Sequence, residues 1–146
     1  MGLLVFNGPI VEVVPLGSGR QHKANVMTEI KKIESGGGTP LHDAVTKGYT
    51  ALITQARRQL GYGEYYLVVL TDGEANPGQD PGGSIDHITA YSPVNVHTIG
   101  FCIGSQHSLN RPGKTIYAEA GDLAELRKGF EGVLAEAPKF DVASFK

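Results

Sequence analysis

Two oxygen-bearing side chains occupy positions from which loops can bring them to one edge of a sheet. Asp72 follows an apolar run at residues 65–70, and Thr39 follows three glycines and precedes a helical pattern. In an open α/β sheet, ligands bind beyond the carboxyl ends of the strands, where loops enter helices. A hydroxyl and a carboxylate that converge there are hard oxygen ligands, which suit Mg²⁺, Mn²⁺ or Ca²⁺. The pattern is therefore compatible with a divalent-cation site formed by Thr39 and Asp72.

Both residues also fit purely structural roles. Thr39 followed by Pro40 is a good N-cap, with proline at the first helical position of the next helix. Asp72 followed by Gly73 is a common turn pair. Taken alone, these residues leave a cation site, or a cap and a turn, as open alternatives.

Further side chains have equally simple explanations. Glu74 fits a solvent-facing position or a place beside the cation, and His42, one turn into the helix, fits the same edge or the open surface. Cys102 follows an apolar strand, and no His–Asp pair at a recognisable spacing supports it as a nucleophile. We therefore expect a buried structural thiol. The glycines at 36–38 lack the lysine of a P-loop, and the five histidines lack zinc-binding spacings. Neither nucleotide nor zinc binding is predicted.

The elements that must position these residues alternate along the chain. Runs at 2–6 and 10–14 around Asn-Gly-Pro predict an antiparallel hairpin. Apolar periodicity predicts helices from about residue 25 to the glycines, from Thr39 to residue 60, at 84–91, and from Asp122 with Glu125 in a capping box. Residues 65–70 predict a central strand covered on both faces, 94–101 a second core strand, and 115–117 a short edge strand. The inward stripes are Leu41, Val45, Tyr49, Leu52, Ile53, Ala56 and Leu60, and later Leu123, Leu126, Phe130, Val133 and Leu134.

Length and composition limit the fold and the partners. The chain has 146 residues, one cysteine and a formal net charge of −2, which predicts a single domain spanning 1–146 without a disulfide framework. This charge does not favour nucleic acid, and the apolar runs are too short to span a membrane. Without a secretory signal pattern, a cytoplasmic location is expected. The order of elements predicts an α/β sandwich with a mostly parallel sheet.

The glycine-rich and aspartate-containing segments together resemble those of a known family. Ser-Gly-Gly-Gly-Thr-Pro-Leu at 35–41, followed by Val-Val-Leu-Thr-Asp-Gly-Glu at 68–74, is similar to the von Willebrand factor type A domain, and 96–101 and 122–134 resemble its fifth strand and last helix. The resemblance implies a three-layer, Rossmann-like sandwich with a mostly parallel sheet and an antiparallel edge hairpin. It also implies a protein-interaction module and not an enzyme.

The resemblance assigns roles to particular residues. In the family, a metal-ion-dependent adhesion site is formed by Asp-x-Ser-x-Ser after the first strand, a threonine in the Gly-Gly-Thr loop, and an aspartate in the Thr-Asp-Gly loop. Thr39 matches the second motif and Asp72 the third. A carboxylate from a protein partner normally completes the coordination of the cation. Residues beside the cation or on the partner rim would then be Gly38, Thr71, Gly73, Glu74 and His42.

The chain departs from the family pattern at its first motif. No Asp-x-Ser-x-Ser occurs, and the chain opens at what resembles the family's second strand. We therefore expect an N-terminally truncated domain with a degenerate site, since Thr39 and Asp72 supply two ligands where a cation takes about six to eight oxygens. Binding of Mg²⁺, Mn²⁺ or Ca²⁺ is expected to be weak or absent. Three outcomes are expected for the strands that would flank the first strand. They close up on each other, another chain fills the gap as in a homodimer, or the chain is a fragment of a longer protein. We favour the fragment.

Two other classes of function remain as alternatives. One is a Mg²⁺-dependent hydrolase or phosphatase in which Asp72 helps to activate water or to hold a phosphate. No second carboxylate or general base at a convincing spacing accompanies Asp72, which disfavours this alternative. The other is a metal-independent scaffold that binds partners through the edge of the hairpin.

Overall fold

The structure is a computed structural model that describes residues 1–34 and 36–136, with side chains as far as residue 133. Ser35 of the glycine-rich motif and the side chain of Leu134 lie outside these residues. None of the described helices is both long and apolar enough to cross a membrane. The elements in chain order are β1 (Leu3–Phe6), β2 (Ile10–Val14), α1 (Arg20–Ile30), α2 (Leu41–Arg58), β3 (Tyr65–Thr71), α3 (Gly82–Tyr91), β4 (Val94–Phe101), β5 (Ile116–Ala120) and α4 (Leu123–Glu136).

The strands form two separate sheets in the described part of the chain. β1 and β2 pair antiparallel with Phe6 opposite Ile10, as the turn-forming Asn-Gly-Pro between them predicts. β3, β4 and β5 form a parallel sheet with β4 in the middle. Parallel neighbours require crossover connections, which α3 supplies between β3 and β4. The prediction of an α/β fold with a parallel sheet and an antiparallel hairpin is confirmed.

Helix α2 connects the two sheets through its buried face. A Cβ built on Gly48 would lie 2.6 Å from Leu67 Cδ1 and 3.6 Å from Leu4 Cδ1, so side chains from β3 and β1 meet at this glycine. Leu41 and Val45 on the same helix are fully buried in the core. α2 and α3 contact the three-stranded sheet, and α4 packs against β5 and β4. The apolar stripe of α2 therefore holds the strands whose carboxyl ends carry the candidate site.

The prediction that residues 65–70 form a central strand covered on both faces is wrong. β3 pairs with β4 along one edge, and no strand pairs with its other edge among the described residues. Val68 and Leu70 are 37% and 38% exposed, whereas Tyr65 and Val69 are buried against the α2 side. An unbroken apolar run does not distinguish a covered face from an uncovered one, because both faces carry apolar residues.

Several local predictions also differ from the structure. α1 begins at Arg20 and ends at Ile30 rather than running from about residue 25 to the glycines. Leu60 is 84% exposed because α2 ends at Arg58, and Leu123 is 76% exposed in the first turn of α4. Cys102 is exposed rather than buried. It lies in the turn after β4 with a positive φ of 59°, and its thiol donates a hydrogen bond to the Gly121 carbonyl at 3.4 Å.

Candidate cation-binding rim

The glycine-rich loop enters α2 without using the Thr39 hydroxyl as a cap. Pro40 occupies the N-cap position with no side-chain cap hydrogen bond, and the helix begins at Leu41. The first-turn N–H groups instead donate to another loop, since His42 N–H donates to the Gln79 carbonyl (2.9 Å) and Asp43 N–H to Gln79 Oε1 (3.1 Å). The prediction of Thr39 as N-cap is therefore wrong. A tertiary contact has replaced the local cap.

Asn76 joins the glycine-rich loop to the loop that follows β3. Thr39 N–H donates to Asn76 Oδ1, and Asn76 N–H donates to the Thr39 carbonyl, both at 3.0 Å. A Cβ on Gly38 would lie 2.6 Å from Asn76 Nδ2, so a side chain there would displace the Asn76 amide that joins the two loops. Asn76 could not be predicted from the sequence, because a lone asparagine 37 residues from its partner leaves no local signal.

The Thr39 side chain lies against the turn that carries Asp72. Its hydroxyl oxygen is 3.0 Å from the position that a Cβ on Gly73 would take. The turn itself is held by Thr71, whose hydroxyl donates to the Gly73 carbonyl (3.1 Å) and accepts from Gly73 N–H (3.2 Å). Asp72 is exposed, and no ion pair holds its carboxylate within the described ranges. The structure thus brings together the loops of both predicted ligands.

A third loop, between β4 and β5, reaches the same turn through His107. The His107 side chain is fully buried, with Nε2 3.0 Å from the Gly73 carbonyl oxygen and 3.5 Å from Glu74 Oε2. Leu109 N–H donates to its Nδ1 at 3.1 Å. We call the surface formed by residues 36–40, 72–83 and 104–113 the rim. The role of His107 could not be predicted from the sequence, because the residue is not spaced from other side chains as a metal ligand or a catalytic group would be.

The charges around the rim are predominantly negative on the side of Glu74. The Glu74 side chain is 69% exposed, and Glu119 on β5 is exposed as well. Burial raises the pKa of the Tyr117 hydroxyl above its usual 10.0, and the nearby carboxylates of Glu119 and Glu74 raise it further. The Tyr117 hydroxyl donates a hydrogen bond to the Gly104 carbonyl. An acidic partner approaching this side would be repelled unless a cation intervened.

His42 lies between the rim and α3. It is partly buried, and its Nδ1 is 3.2 Å from Ser84 Oγ in the first turn of α3. Ser84 Oγ in turn lies 3.2 Å from Thr46 Oγ1. Through Ser84, these contacts connect His42 and Thr46 of α2 to α3.

The donor types at the rim fit a hard cation, but their number does not complete a coordination shell. Thr39 and Asp72 offer a hydroxyl and a carboxylate oxygen, both ligands that Mg²⁺ accepts. Among residues 1–34 and 36–136, no group of three or more His, Cys, Asp or Glu side chains is arranged to hold a metal ion. A cation at Thr39 and Asp72 would therefore take most of its oxygens from water or from a partner.

Comparison with known proteins identifies the family of the chain. The family profile described as von Willebrand factor type A domain matches residues 1–128. A search of curated proteins finds no match to the chain. The matched span includes the hairpin, the parallel sheet and all three loops of the rim. The chain belongs to the von Willebrand factor type A domain family.

Proposed function

We propose that this chain is an adhesion-type protein-interaction module whose rim holds a divalent cation weakly. The observation that carries the proposal is the position of the Thr39 hydroxyl against Gly73, immediately beside Asp72. Members of this family generally mediate protein–protein interactions and often bind a divalent metal. The proposal gives the chain a binding role and no catalytic one.

The weak affinity follows from the ligand count. Thr39 and Asp72 contribute a single formal negative charge, and the family's first motif is not present in the chain. Cation affinity rises with the number of charged ligands and with the rigidity of the site. A bound cation would supply positive charge at an otherwise acidic rim. The chain's own residues would fix its position, with Thr39 and Asp72 held together by Asn76 and the Gly73 turn.

The proposed partner is a protein that presents a carboxylate to the rim. Glu74 and Asp72 are exposed carboxylates, so an acidic partner has no favourable contact with them in the absence of a cation. With a cation in place, the partner's carboxylate completes the coordination and the repulsion is offset. The affinity for the partner should therefore depend on the concentration of the cation, whereas the affinity of a purely apolar interface would not.

A capture experiment with purified chain as bait tests this function. Binding proteins are collected in Mg²⁺ and in chelator, with the wild-type chain, Asp72→Asn, Thr39→Ala, and Glu12→Gln as a matched control that removes an exposed charge on β2. The proposal expects a protein that is retained in Mg²⁺, released by chelator, lost with both rim variants and kept with the control. Retention unaffected by chelator would indicate a metal-independent scaffold. Turnover of phosphate esters that is lost in Asp72→Asn would indicate a hydrolase.

A further inference from the structure

We propose that His107 is a positioning residue of the rim, which holds the turn carrying Asp72 against Thr39. Its consequence for cation affinity rests on the function proposed above. The histidine itself does not contact Thr39 or Asp72. It acts through the carbonyl of Gly73, the residue directly after Asp72.

The two hydrogen bonds of His107 select one tautomer of the ring. Leu109 N–H can only donate, so Nδ1 must present its lone pair, and the ring proton of the neutral imidazole lies on Nε2. The Gly73 carbonyl can only accept, which matches a donating Nε2–H at 3.0 Å. Both ring nitrogens therefore have a hydrogen-bond partner, although the side chain has no exposed surface. The acceptor at hydrogen-bond distance from Nε2 is the Gly73 carbonyl of the Asp72 turn, and Glu74 Oε2 lies farther from the same nitrogen, at 3.5 Å.

The far side of His107 is anchored in the core. The Leu109 side chain is fully buried, and its carbonyl accepts hydrogen bonds from the Thr98 hydroxyl of β4 (3.1 Å) and from the Thr115 hydroxyl (2.8 Å). Hydrogen bonds therefore connect β4 to the backbone of Leu109, Leu109 to the imidazole, and the imidazole to Gly73. This chain transmits the rigidity of the central strand to an exposed turn.

The Asp72 turn would keep its local hydrogen bonds without His107 but would lose this anchor. Thr71 still bonds the Gly73 carbonyl and N–H, so loss of the imidazole should loosen the turn rather than unfold the domain. A loosened turn spreads the Asp72 carboxylate over more orientations, and a ligand pays the entropy of ordering it. The predicted effect is on rim affinity and on local amide exchange.

The test compares His107→Gln, whose amide N–H can still reach Gly73, with His107→Leu, and uses Val26→Ala on α1 as a control that weakens the core at a distance from the rim. In the wild-type chain, long-range ¹H–¹⁵N NMR should show the ring proton on Nε2 and a lone pair on Nδ1. His107→Leu should speed amide exchange at residues 72–76 about fivefold or more and weaken Mn²⁺ binding about fivefold, the size expected for one hydrogen bond. His107→Gln should recover most of both effects.

A ring protonated at Nδ1, or exchange at residues 72–76 no faster in His107→Leu than in Val26→Ala, would overturn the role of His107. A wild-type chain that binds no Mn²⁺ at the rim would instead overturn the proposed function, while the tautomer and exchange measurements would still decide the role of His107. A fivefold loss of affinity shared equally by Val26→Ala would also count against positioning, because it would trace to general destabilisation.

Discussion

The Thr39 hydroxyl oxygen lies 3.0 Å from the point where a side chain on Gly73 would begin. The two residues are 34 positions apart in the chain and come from loops that enter different elements. This contact places a hydroxyl next to the turn that exposes Asp72. The cation site proposed for this chain depends on it.

Replacing Gly73 with alanine should disturb this contact. A Cβ at 3.0 Å from Thr39 Oγ1 is tighter than ordinary packing, so the Thr39 side chain and the turn must move apart. We expect a loss of about 1–2 kcal/mol in the free energy of unfolding, within the range for overpacking, measured by urea denaturation. Gly83→Ala is the matched control, since open space surrounds its Cβ in α3 and a helical Gly-to-Ala change is neutral or stabilising. Equal effects of the two substitutions would contradict the proposed close contact.

Asn76 should matter more for the shape of the rim than for global stability. Asn76→Ala removes the acceptor of Thr39 N–H, and Asn76→Asp retains an acceptor oxygen at the same place. We expect Asn76→Ala to cost about 1 kcal/mol and to speed amide exchange at Thr39, whereas Asn76→Asp should protect that amide. Hydrogen exchange followed by NMR measures both. Unchanged exchange at Thr39 in Asn76→Ala would show that the two loops are held by other contacts.

The hairpin and the helical stripe of α2 could be predicted because their signals are local. Asn-Gly-Pro between two β-rich runs determines a turn, and the 3.6-residue periodicity of Leu41, Val45 and Tyr49 marks one face of a helix. The convergence of Thr39 with the Asp72 turn was expected because both lie in loops that enter helices, and such loops meet beyond the carboxyl ends of the strands in an open α/β sheet. These patterns sufficed to identify the loops of the candidate site.

The contacts that shape the rim could not be predicted in the same way. The N-terminus of α2 is satisfied by Gln79, 37 residues from His42, so the local N-cap rule assigned that role to Thr39 incorrectly. His107 reaches Gly73 across 34 residues of chain. Cys102 is exposed in a turn with a positive φ, a backbone angle that its residue type does not suggest. Each error arose where a tertiary contact or an unusual backbone angle overrode the local pattern.

The ion cluster on α3 should make stability depend on acid pH. A hydrogen bond from Lys114, together with a bidentate contact and the charge of Arg111, lowers the pKa of Asp86 below its usual 3.8, although desolvation opposes this shift. The folded state thus favours the carboxylate, and this contribution is present above pH 3.8 and is lost as the pH falls through the lower folded value. Asp86→Asn should lower the melting temperature at pH 7 but have little effect below the folded pKa. A difference that persists unchanged at pH 2 would contradict this assignment.

Tyr117 should ionise above pH 10.0, because burial and the charges of Glu119 and Glu74 raise its pKa. The folded state therefore binds the phenolic proton more tightly than the unfolded chain, and this stabilisation is lost as the pH rises through the folded value. Difference absorbance near the phenolate band, with Tyr117→Phe to identify the residue, should show the late titration. Glu74→Gln should lower the pKa of Tyr117 towards 10.0. A Tyr117 titration that is unaffected by Glu74→Gln would show that the Glu74 carboxylate does not influence Tyr117.

Titration of the ¹⁵N-labelled wild-type chain with Mn²⁺ tests the central claim most directly, because this ion broadens the amide signals of residues close to it. We expect broadening first at residues 38–42 and 71–76, with a dissociation constant of roughly 10⁻³ M, typical of weak sites with few charged ligands. Asp72→Asn should remove this broadening and Glu12→Gln should leave it unchanged. Micromolar affinity, or broadening centred away from Thr39 and Asp72, would contradict the proposed site.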